Sequence, residues 1–115
     1  MNVKDLFLDA CREQELGADA FLRYLRECTR YLLVRYPLAY LVEGEKSALS
    51  CPQTLNESYA LHDRYYAAIL RGVLYEKTKD EKDRARFAEE ADRAYLSLWR
   101  ERASGRRALP GGDGQ

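Results

Sequence analysis

The sequence predicts an all-α fold: a small four-helix bundle, an irregular or short β-hairpin segment between the second and third helices, and a flexible C-terminal tail. Three observations predict it. Two amphipathic stretches, 55–78 and 80–104, lie back to back, both studded with aromatics, with only a few residues for the turn between them. Upstream, apolar residues recur at i, i+3, i+4 and i+7 in two further stretches. Gly17, Pro37 and Pro52 fall between these stretches. Residues 1–104 form one helical domain and 105–115 a tail, and a chain of 115 residues can bury a real core without metal or disulfides.

The first helix opens on Asn2 as N-cap, with Asp5 near its positive end. Val3, Leu6, Phe7, Ala10 and Cys11 make its apolar face, and Gly17 offers a left-handed stop. The second helix begins near Ala18 or Asp19. Its stripe is Phe21, Leu22, Leu25, Cys28, Leu32 and Leu33, and the Tyr36–Pro37 step ends it, because a residue before proline avoids helical space. Residues 38–52 read either as two short strands or as an ordered loop, with Leu41 and Leu49 dipping into the core. The third helix spans 55–78 and buries Tyr59, Leu61, Tyr65, Ile69, Val73 and Leu74, with Tyr66, Leu70 and Thr78 at the edges. Gly72 inside it costs about 1 kcal/mol relative to Ala; close approach of a neighbouring helix or subunit would explain it, as would simple tolerance. Asp80 caps the fourth helix, whose stripe is Phe87, Ala91, Ala94, Tyr95 and Leu98, with Trp99 at its edge.

Charge constrains partners. Nineteen basic residues balance nineteen acidic ones, which argues against DNA or RNA as the main partner and against specific nucleic-acid recognition. The balance is uneven along the chain. Residues 1–20 carry two cations against five anions, and residues 84–107 carry seven arginines against four anions. Ends of opposite sign suit head-to-tail contacts between identical subunits, though surface helices also simply vary in charge. The start MNVKDLFLDACREQE lacks a signal-peptide core and no apolar run is long enough to span a membrane, so an intracellular protein is expected.

Chemistry finds little to work with. His62 is the single histidine, and neighbouring Asp63 would not face it on a helix. Cys11, Cys28 and Cys51 have no metal-ligand spacing, and the first two read as small buried hydrophobes. Glu89, Glu90 and Asp92, or Glu43 and Glu45 about Gly44, match no phosphate, calcium or zinc motif. No catalytic, cofactor or metal residues are assigned, and a small enzyme using His62 or a cysteine is the minor reading. Nine tyrosines exceed what so small a core would bury; their rings either lie between subunits or ring the core with hydroxyls in water. Arg102, Arg106 and Arg107 would suit an acidic partner surface, and together with Tyr66 and Trp99 they form the candidate partner-binding set.

From CTRYLLVRYP through LHDRYYAAILRGVLYEKTKDEKDRARFAEEADRAYLSLWRERA, residues 28–104 resemble the small helical head–tail connector proteins of tailed phages and prophages, also called adaptor or head-completion proteins. Tyr65, Ala68, Leu74, Asp80, Phe87 and Tyr95 carry the pattern of a late helix, an Asp-containing turn and a final helix with spaced aromatics before a basic tail. The resemblance implies a non-enzymatic virion component: a ring-forming subunit, monomeric in isolation until templated, that contacts the portal protein and tail-side connector proteins. It implies a place in the virion or the host bacterial cytoplasm, with Arg106, Arg107 and the tail near the portal. The competing reading is a small bacterial helical regulator or adaptor with weak nucleic-acid contact through the arginine-rich final helix.

Overall fold

The structure is a computed structural model and describes residues 1–44 and 46–108. Four α-helices form: α1 (Val3–Glu13), α2 (Ala18–Arg35), α3 (Tyr66–Thr78) and α4 (Glu81–Ala108). Short 3-10 turns lie at Leu38–Tyr40 and Asp63–Tyr65. The other three helices all pack on α3, so its sides are almost fully enclosed. Leu6 from α1, Phe21, Leu25 and Leu32 from α2, Ile69 and Val73 from α3, and Ala91 and Leu98 from α4 meet in one buried cluster. Each buried Leu or Phe of this kind contributes roughly 1.5–3 kcal/mol.

The first two helices follow their expected faces except at Leu33, which was expected on the α2 stripe but is 42% exposed, one residue past the buried Leu32. The Asn2 side chain accepts from the Asp5 N–H at 3.0 Å, which caps α1. The helix ends sooner than expected, at Glu13, with Gln14 extended. Gly17 is not its left-handed stop: it sits at φ −80° as the N-cap of α2. Three extra residues of linker make a left-handed reversal unnecessary. Tyr36 before Pro37 ends α2 with extended backbone, as proline requires.

Between α2 and α3 one open alternative closes and one expectation fails. Of the two forms open to residues 38–52, the hairpin is not the one adopted: among the described residues there is no strand, only isolated bridges pairing Val42 with Leu61 and Asn2 with Ser58. Leu41 and Leu49 are nevertheless buried. The third helix begins at Tyr66 rather than at residue 55. Tyr59 and Leu61 explain why. Two residues apart on a helix they would point about 200° away from each other, so both could not face one core. In extended chain they share a side, and both are buried. The His62 N–H donates to the Leu41 carbonyl at 2.7 Å and the Glu43 N–H to that of Ala60 at 3.4 Å, so non-local pairing satisfies this backbone. The Tyr59 hydroxyl reaches Thr29 Oγ1 at 2.5 Å; Thr29 donates its own proton to the Leu25 carbonyl at 2.7 Å, which leaves Tyr59 as donor.

The α3–α4 hairpin is tight. Lys79 takes a left-handed conformation at φ 56°, and the Asp80 carboxylate accepts from the Lys82 N–H at 2.9 Å to start α4. Gly72 marks a close approach within the chain: a Cβ there would meet Cys28 of α2 and Phe87 of α4. Helix α4 does not stop at Ser104 but continues to Ala108. The rest of the expected tail, residues 109–115, lies outside the described residues.

Candidate partner-binding surface

The inner stripe of α4 is Phe87, Ala91, Ala94 and Leu98, all buried. Tyr95 sits beside it in an aromatic cluster, stacked on Tyr36 at 5.1 Å and edge-on to Tyr40 at 5.3 Å. Arg102 closes the cluster, its guanidinium 4.4 Å from the Tyr40 ring centroid, a contact of about 0.5–1 kcal/mol at such a site. Arg102 is therefore half-engaged in the fold. Trp99 is not: it is 48% exposed.

Tyr66 faces elsewhere. Its hydroxyl donates to the Asp9 carboxylate, pinning the start of α3 to α1. Burial first, and that bond second, push the Tyr66 phenol above its ordinary range. The structure thus places Arg102 and Trp99 within one turn of α4 and directs Tyr66 to an internal contact. Arg106 and Arg107 stand in the last turn of α4, with side chains outside the described residues. Tyr36, Tyr59 and Tyr65 are buried and the other six tyrosines are half-buried within this one chain.

The solvent side of α4 holds groups the sequence pattern did not single out. Arg86, Arg93 and Arg100 recur at seven-residue intervals and are all exposed. Leu96 lies between the last two, three residues after Arg93 and four before Arg100, and is 43% exposed. Trp99 stands one turn further along. The signal was available: Leu96 is a large apolar residue that falls off the buried stripe. Val34 on α2, 85% exposed, is another such residue.

Between α2 and α4 runs a furrow of about 420 Å³, floored by Tyr31 and Phe87, whose rings stand 4.6 Å apart. A polar bridge crosses between the same helices further along. The Tyr36 hydroxyl and the Arg35 guanidinium both donate to Asp92 of α4. The Tyr36 bond first, then the Arg35 bond, hold the Asp92 carboxyl below its usual value.

His62 Nδ1 accepts from the Arg64 N–H at 3.1 Å and so caps the turn that leads into α3. Burial pushes the Cys28 and Cys51 thiols up, the direction opposite to an activated thiolate. Among the described residues no group of three His, Cys, Asp or Glu side chains is arranged to hold a metal ion. No described helix is long and apolar enough to cross a membrane. Comparison with family models, with curated proteins and with solved structures gave no match.

Proposed function

We propose that this chain is a structural subunit of a phage or prophage head–tail connector, working by protein–protein assembly between portal and tail in the virion. The α3–α4 hairpin is the observation that supports the reading. Of the six residues on which the resemblance rests, Tyr65, Ala68, Leu74 and Phe87 are buried. Asp80 caps α4, and Tyr95 stacks on Tyr36. The residues that carry the family pattern are thus the ones that hold the hairpin rigid. A rigid hairpin leaves the outer side of α4 as a preformed platform for neighbouring subunits or a portal ring. Arg64 strengthens the platform by bonding Ser97 and Glu101 of α4 from the 3-10 turn before α3.

The direct test is co-sedimentation of the purified chain with the portal protein of the same genome, followed by electron microscopy of the complex. Stoichiometric decoration of one end of the portal ring is expected. A portal that sediments without the chain, or a gene neighbourhood without portal, capsid and tail genes, overturns the reading.

A further inference from the structure

We infer that the outer face of α4 from Arg86 to Arg100 docks an acidic protein surface, with Leu96 and Trp99 as its apolar anchors. The inference deepens the connector reading and rests on it for the identity of the partner. Its own basis is composition and charge at a defined place. Leu96 and Trp99 remain 43% and 48% exposed on a helix that has a complete buried stripe of its own. Nothing in the folding of this chain requires them there. Arg and Trp at the centre of a patch are the residues that most often carry binding energy in protein interfaces.

The charges select the partner's sign. Among the described residues neither Arg86 nor Arg100 has a carboxylate within 4.0 Å, whereas Arg93 shares Glu89 and Glu90. Successive arginines of the three leave the helix about 10.5 Å apart along its axis, given a rise of about 1.5 Å per residue. Anionic side chains spaced along a partner helix or loop would satisfy them by paired hydrogen bonds. A nucleic-acid backbone fits less well. Leu96 and Trp99 in the middle of the face offer a phosphate backbone little to bind.

Trp99 is the single tryptophan, so its fluorescence reports on this face alone. The full chain is titrated at low salt with two probes: a Trp-free helical peptide with Leu at i, i+3, i+4 and i+7 and Glu elsewhere, and a 20-base-pair DNA duplex (probe sizes roughly those of two to three turns of either helix). A blue shift with the peptide is expected, with affinity at least tenfold weaker in the Arg93→Glu/Arg100→Glu variant. Circular dichroism confirms that this surface variant folds. No shift with the peptide, equal affinity in the folded variant, or tighter binding to DNA with a steep salt slope overturns the inference. These outcomes separate from the connector test. Portal binding that survives the charge reversal removes this face and leaves the connector reading. A chain that takes the peptide but not the portal removes the connector reading alone.

Discussion

Gly72 of α3 faces Cys28 of α2 so closely that a Cβ built on it would stand 2.7 Å from the Cys28 sulfur and 3.1 Å from carbons of the Phe87 ring. Three helices therefore meet at one missing methyl group. Two effects oppose each other in Gly72→Ala. Helix propensity favours Ala by about 1 kcal/mol. Overpacking costs typically 1–3 kcal/mol, and here the sulfur of a buried residue and a buried ring must both move. Overpacking wins, so Gly72→Ala should lower stability by up to about 2 kcal/mol in urea melts. Adding Cys28→Ala removes the sulfur and should recover part of that loss. A Gly72→Ala protein that gains stability would show that α2 and α4 do not converge there.

Phe87 and Trp99 should separate cleanly. The sequence placed both on or beside one stripe of the final helix, but Phe87 is 6% exposed and Trp99 48%. Phe87→Ala should cost about 3–5 kcal/mol. Trp99→Ala, which leaves a surface rather than a cavity, should cost about 1 kcal/mol or less. Thermal melts of the two variants decide it. Equal losses would place the Trp99 ring in the core.

Helical faces were legible in the sequence where one face meets one core. The stripes of α1, α2 and α4 follow from apolar spacing except at the exposed Leu33, and Asn2 and Asp80 cap as their side chains suggest. Residues 55–65 were misread because their order is not local. Leu61 pairs through its backbone with Val42 and the Tyr59 carbonyl accepts from the Met1 amino group, and a local window cannot see such partners. The same limit hid Thr29, whose burial depends on the Tyr59 hydroxyl thirty residues away. The candidate surface was half legible. Arg102 and Trp99 stand together on α4, but Tyr66 bonds to α1, and Leu96 lies off the apolar spacing that marks a buried face.

Asp92 should titrate below the ordinary Asp range. Its folded-state value is depressed, chiefly by the Tyr36 hydroxyl and then by Arg35. A depressed carboxyl contributes stability that is fully present above the unfolded value near 3.9 and is lost as pH falls through the folded value. Half the side chain is exposed, so the contribution is small. Carboxyl-carbon NMR shifts recorded between about pH 2 and 6 give the value directly. Tyr36→Phe should move it back toward the ordinary range, and an unmoved titration would mean that Arg35 alone holds it. Asp92→Asn should flatten the acid limb of the stability profile without shifting its neutral plateau greatly.

Lys79 decides the geometry of the hairpin that supports the proposed function. It is the single non-glycine residue with positive φ among the described residues, and its N–H donates to the Tyr75 carbonyl at 2.6 Å to close α3. A left-handed residue with a Cβ costs roughly 1–2 kcal/mol, which glycine avoids. Against this, glycine loses more backbone entropy on folding, and the variant also loses the exposed pair with Glu76 at 3.1 Å, itself a weak contributor. The relief is larger, so Lys79→Gly should stabilise by about 0.5–1 kcal/mol. Lys79→Val should do the reverse, because a branched side chain tolerates the left-handed region least. The control is Lys77→Gly, two residues earlier in the last turn of α3, which should cost up to about 1 kcal/mol. If both glycine variants lose stability equally in chemical denaturation, the chain does not reverse at Lys79, and the rigid hairpin is the wrong description of this region.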